Sequence, residues 1–341
     1  MIDFRYHLVS IIAVFLALAV GLLVGATYLS GPAETLLARQ QKNATTQNNT
    51  LRAKNAQLAG QVGADQAFAQ AGAARLLTGL LAGEKVVVVE APGVTNQMAG
   101  GVVAALQQSG ATVTDQVLLQ SGFLATTGAG ESSLSDLARQ LAGQAGVTLP
   151  STALYPGTAG QQDAAAVIAA AIVSKDGVGL PAGTDQSILS GFAPNFLQVK
   201  SAAATSSATL AVLLTPAGIQ PQPVSQGLAA FAAELKAASL GTVLAGAVSP
   251  VAATNAVTLA AGAGTVSTVD NADTESGQIT VAQVLRNLLS GKPVAAYGAG
   301  PGSAPSPAPT PSPSTSTTSS HPSGNPSGRS PSPGSSNGTG R

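Results

Sequence analysis

Few residues in this chain are able to do chemistry, and their spacing limits what that chemistry is. The densest group is Asp270-Asn271-Ala272-Asp273-Thr274-Glu275, which places the carboxylates of Asp270, Asp273 and Glu275 within six residues. Three carboxylates so close together can hold a hard cation through oxygen, although the spacing matches no EF-hand loop. The same stretch can instead cap a following helix, where hydroxyl and carboxylate oxygens accept the free amide N–H groups and acidic side chains meet the positive end of the helix dipole. Capping is the favoured reading. Soft metal donors are scarcer. The chain has no Cys, two Met (Met1 and Met98) and two His, His7 beside the first apolar run and His321 near the C-terminus. The region between the two histidines therefore has no imidazole for Ser-His-Asp catalysis, for a His general base or for His-ligated zinc. The one G-x-S-x-G match, Gly334 to Gly338, lies in low-complexity sequence and lacks the strand–turn–helix setting it needs. The expectation is a protein that is not an enzyme and has no cofactor. Its weak metal candidates are limited to Asp270, Asp273, Glu275 and Met98.

Composition excludes more. Over 341 residues only 9% are charged, with 15 basic and 15 acidic side chains. Such a chain cannot neutralise many phosphates, so nucleic acid is not an expected partner. Aromatic residues are 3% with no Trp, which leaves little for stacking on bases or sugars. The absence of Cys removes disulfides and thiolate chemistry without deciding a compartment.

Leu8 to Leu29 is an uncharged run of 22 residues. At about 1.5 Å rise per residue it crosses a hydrocarbon core of ~30 Å. It is longer than the apolar region of a usual secretory signal and no A-x-A site follows cleanly, so residues 1–30 read as an uncleaved single-pass membrane anchor. Ala13, Ala17, Gly21 and Gly25 recur at every fourth residue, a small-residue stripe that lets two membrane helices approach closely. Gly31-Pro32 is expected to end this helix, and residues 31–82 to form a helical stalk. Leu37, Ala44, Leu51 and Leu58 are spaced seven apart in it; taken as d positions, they put Gln41, Asn48, Asn55 and Val62 at a. That is the pattern of a short coiled coil whose register is set by buried polar residues. Span and stalk together predict a parallel homodimer.

From residue 83 to 298 the texture becomes apolar runs alternating with Ala-rich segments. Lys85–Glu90 reads as a fully buried strand, Asn96–Gln108 as a helix and Thr112–Leu118 as the next strand, one β-α-β unit. Further strands are expected at Ala208–Leu214, Thr242–Val248 and Gly264–Val269. Helices are expected at Leu134–Ala142, Asp163–Val173, Ser187–Val199, Leu228–Ala238 and Ile279–Leu289. The predicted class is α/β, a mostly parallel sheet flanked by helices, with any ligand crevice beyond the carboxyl ends of the strands. Residues 299–341, rich in Pro, Ser, Gly and Thr, read as a disordered tail. The basic residues flanking the apolar run are nearly balanced and do not orient it.

Two long segments carry a resemblance. MIDFRYHLVSIIAVFLALAVGLLVGA at the start and VSTVDNADTESGQITVAQVLRNLLSG near Tyr297 are similar to the actinobacterial copper transporter family of the MctB type. The resemblance runs from Met1 to about Tyr297. It implies an envelope protein of the cell membrane, with the bulk of the chain extracytoplasmic, that limits intracellular copper, with copper as transported ion. Related corynebacterial members imply an alternative: a dimeric scaffold that recruits cell-separation partners beside peptidoglycan hydrolases, with no copper site of its own. The ligand inventory sits closer to the alternative, because cuprous ion prefers thiolate or thioether and cupric ion imidazole.

Overall fold

In the computed structural model, residues 4–125, 128–202, 207–247, 249 and 255–307 are described. The chain opens with one long helix, α1 (Phe4–Leu77). The expected break at Gly31-Pro32 is not there: the backbone stays helical across it. Proline costs a helix one hydrogen bond, but its fixed φ is already near the helical value, and good helix formers on both sides carry the turn through. The segment Arg5–Ala26 has a mean hydropathy of 2.9 and buries none of its surface, so it is long and apolar enough to span a bilayer. The stalk runs on as the same helix. Its last turns change surroundings, with Ala73 at 2% exposure and Leu77 at 0% packed into the domain.

The domain is a seven-stranded sheet. Its strands are β1 (Lys85–Glu90), β2 (Thr112–Leu119), β3 (Leu197–Ala202), β4 (Leu210–Thr215), β5 (Gly241–Gly246), β6 (Ser267–Val269) and β7 (Ala296–Tyr297). They lie in the order β3-β2-β1-β4-β5-β6-β7. All neighbours are parallel except β3, which runs antiparallel to β2 at one edge. The run of valines in β1 is the reason for a two-faced core. Val87 and Val89 face one layer, where Leu134, Ile168 and Phe231 come from α3 (Ala129–Ala145), α4 (Ala159–Ile172) and α6 (Gln222–Ala238). Val86 and Val88 face the other, where Leu77 of α1 meets Val102 of α2 (Asn96–Gln108) and Leu285 of α8 (Glu275–Leu289). Strands buried on both sides take continuous β-branched runs, which is why this one was legible.

Ser187–Val199 is not one helix. The helix α5 (Thr184–Phe192) stops before Ala193-Pro194 and the chain turns into β3. A residue that precedes proline is pushed out of the helical region, and this ends α5. The short helix α7 (Ala256–Ala263), closed by a reciprocal capping box between Asn255 and Thr258, and the two-residue β7 were not anticipated. The ordered chain also passes residue 298. Tyr297 and Ala304 form a bridge, and Pro307 is buried. The expected tail therefore begins no earlier than residue 308, and 308–341 lie outside the described residues.

Two of the aromatic rings of the first layer, Phe123 and Phe231, meet edge to face with centroids 5.4 Å apart, and both are fully buried. Truncating Phe231→Ala is expected to cost about 3–5 kcal/mol through lost transfer energy and a cavity. Urea unfolding followed by circular dichroism measures this; a loss below about 1 kcal/mol contradicts the packing described.

Candidate functional site

The sheet changes direction at β1. The chain moves outward to β2 on one side and returns to β4 on the other, so the carboxyl ends of β1 and β4 border a topological switch point, the place where open α/β sheets bind ligands. A crevice of about 340 Å³ lies there, lined by Gly93 and Thr95 from the β1–α2 turn, Gln97 in the first turn of α2, Pro216 after β4, Ala247 after β5, and Asp273. Gly93 is needed in the turn: its φ is +90°, and a Cβ there would stand 3.3 Å from Pro216. Thr95 caps α2, its hydroxyl accepting from the Met98 amide at 3.3 Å. Met98 forms the inner wall of the crevice, at 2% exposure within the α1–α2–α8 core.

The three sequence-predicted carboxylates do not converge on one point. Asp270 is consumed by the chain itself. Its carboxylate accepts from the amides of Ala299 (2.6 Å) and Gly300 (2.9 Å) and from the Ser303 hydroxyl (2.8 Å), which pins the segment after β7 to the end of β6. Thr274 caps α8, accepting from the Gly277 amide at 3.2 Å, and Glu275 sits in the first turn. This is the arrangement expected of capping. Asp273 and Glu275 open instead onto a second groove of about 290 Å³. It lies between α1, through Gly63, Gln66 and Gln70, and the starts of α2 and α8, through Gln97 and Gln278. Gln97 and Asp273 line both hollows. Among the described residues, no three His, Cys, Asp or Glu side chains come close enough together to hold a metal ion.

The association stripes of α1 lie open. Ala13, Ala17, Gly21 and Gly25 are exposed, with nothing within 4 Å of a Cβ built on either glycine. In the stalk Leu37, Leu51 and Leu58 are 69%, 60% and 57% exposed, and Ala44 is exposed as well. Two charged features escaped sequence reasoning. Glu90, the carboxylate that follows the four valines of β1, is 4% exposed, and both its oxygens accept from Lys200 Nζ on the edge strand, at 2.9 and 3.2 Å. A carboxylate directly after four buried valines was the available signal. Asp115 on β2 is half-buried near Asp185 of α5, and burial followed by that like charge pushes its carboxyl up to about 6.

Fold and crevice define a class: a helix-anchored α/β protein with a switch-point crevice and no soft metal donors gathered at it. A family described as "Copper transport outer membrane protein, MctB" matches residues 1–308. The chain belongs to that MctB family. It is similar to the "Copper transporter MctB" of Mycobacterium tuberculosis (strain ATCC 25618 / H37Rv), 28% identical over 310 residues covering 88% of this chain and 97% of the relative. It is also similar to the protein of the same name from Mycobacterium leprae (strain TN), 30% identical over 315 residues with the same coverage.

Asp115 makes stability depend on pH. Its folded value is raised from 3.8 to about 6, so its stabilising contribution is complete below about 3.8 and is lost as the pH rises through 6. Asp115→Asn is expected to stabilise the protein at pH 8 by about 1 kcal/mol, after allowance for solvent screening. That gain should shrink as the pH falls toward 4. A gain independent of pH, measured by urea unfolding, contradicts the assignment.

Proposed function

We propose that this protein is a single-pass, membrane-anchored component of copper tolerance at the cell envelope. In this reading it acts as a parallel dimer that holds its α/β domain off the bilayer, with the bulk of the chain outside the cytoplasm. Copper here is cargo or stress, never a resident cofactor. Family membership supports the copper role. The donor set gives that role its form. Copper is gripped by thiolate, thioether or imidazole, and the described domain offers the thioether of Met98, itself buried in the core. Copper control therefore passes through a partner and not through ligands on this chain. The crevice and groove are where such a partner docks.

The alternative reading, a dimeric scaffold that recruits cell-separation partners acting beside peptidoglycan hydrolases, shares this architecture. One observation supports it: Leu37, Leu51 and Leu58, set at heptad spacing, are exposed on the stalk. A deletion strain scored for both copper content and cell chaining separates the two. The copper reading predicts raised copper in separated cells. Normal copper in chained cells rejects it in favour of the scaffold.

Two measurements test the physical basis. Purified full-length protein is expected to hold less than about 0.1 copper per chain by elemental analysis after dialysis, since the described residues gather no soft donor set to retain it. Stoichiometric copper contradicts this. In a chain free of natural Cys, Leu51→Cys is expected to give a disulfide-linked dimer when membranes are oxidised, because d positions of a parallel pair face each other. A product that stays monomeric removes the dimer.

A further inference from the structure

The path of α1 over the domain fixes which way the crevice faces. At Gly63–Gln70, α1 lies beside the N-terminal ends of α2 and α8, through Gln97 and Glu275. At its far end the chain lies beside the C-terminal end of α2, where the Leu81 amide donates to the Ser109 carbonyl at 2.8 Å and Gly110 packs on Ala82. So α1 runs alongside α2 in the same direction, and its N-terminal part leaves the domain at the carboxyl edge of the sheet. The crevice opens at that edge. It therefore faces the side from which the helix continues toward its apolar span, about 55 Å further along α1 at 1.5 Å per residue from Gly63 to Ala26.

The hollows on that side have one chemistry. The crevice and the groove are neighbours with Gln97 and Asp273 in both linings, and are taken together as one trench beside the stalk. Its lining includes two carboxylates, Asp273 and Glu275, and the amides of Gln66, Gln70, Gln97 and Gln278, with no basic side chain. Glutamine amides both donate and accept, as the backbone of an extended peptide requires, and the carboxylates favour a cation. We infer that this trench is the docking site for a basic, extended segment of a second protein anchored in the same membrane.

A second copy of this chain does not fill the role. Its stalk is helical and not extended, and between Lys54 and Arg75, the stretch that borders the groove, it carries no basic residue. The inference rests on the tethered reading above only through the membrane anchor, and it holds whether the partner serves copper or cell separation.

The test uses the full chain in nanodiscs, with single cysteines for dye labelling placed at exposed Gln97 or exposed Gln107. Energy transfer to acceptor-labelled lipid headgroups is expected to be stronger from position 97 than from position 107, because ten residue steps along α2 separate them by about 15 Å. Equal transfer, or stronger transfer from 107, overturns the orientation whatever the copper phenotype. An unstructured Lys/Arg-rich peptide is then titrated against the dye at 97. Binding is expected to fall at least tenfold in Asp273→Lys/Glu275→Lys protein whose melting is unchanged, and to be absent for the matching Glu-rich peptide. The same result is expected with residues 308–341 removed. Binding indifferent to the charge reversal overturns the site. Binding that appears only after that removal assigns the trench to the chain's own C-terminal segment and overturns the partner.

Discussion

The structure depends on the seating of the last turns of α1 against α2 and α8. Leu77 and the following Leu81 are fully buried, and Ala73 nearly so, in the same core layer as Val86 and Val88 of β1. Burying each leucine contributes about 1.5–3 kcal/mol. The contact joins a solvent-exposed helix to a two-faced sheet with no flexible linker between them. Without it the anchor would be a tether of arbitrary geometry. With it the domain has a fixed aspect, and the crevice has a defined side.

The same seating explains the economy of the chemistry. The carboxyl edge of a parallel sheet is where α/β proteins place their reactive groups, yet here its crevice and groove are lined by amides, two carboxylates and a buried thioether. The third carboxylate, Asp270, closes the fold by holding the segment at Ala299–Ser303. Gly298 and Gly300 leave the space this needs, since a Cβ at either would collide with the Asp270 carboxylate. A site of this make-up suits the proposed docking of a peptide better than it suits a soft metal. This reconciles membership of a copper transport family with a chain poor in copper ligands.

Much of the fold was readable because it rests on local pattern. β1 and α2 fell where Lys85–Glu90 and Asn96–Gln108 were expected, and α8 was found apart from its capped first turn. What was missed depends on distance. β3 is a strand because β2 offers it an edge, and nothing within Leu197–Ala202 announces that. The Glu90–Lys200 pair joins residues 110 apart in the chain. The unbroken helix through Gly31-Pro32 shows that a strong local stop signal loses when both flanks favour helix. At the site, the carboxylate cluster was found but its unity was not. Whether Asp270 faces Asp273 or Ala299 depends on where β7 returns to the sheet.

We have proposed that copper control by this protein runs through docking and not through ligands of its own. The most direct test is intracellular copper in a deletion strain complemented with Met98→Leu. This change removes the thioether of the described domain while conserving volume, so the fold is expected to persist. The account predicts copper content equal to that given by the unaltered chain. Copper rising to the deletion level, with the variant folded and present in normal amount, would contradict it.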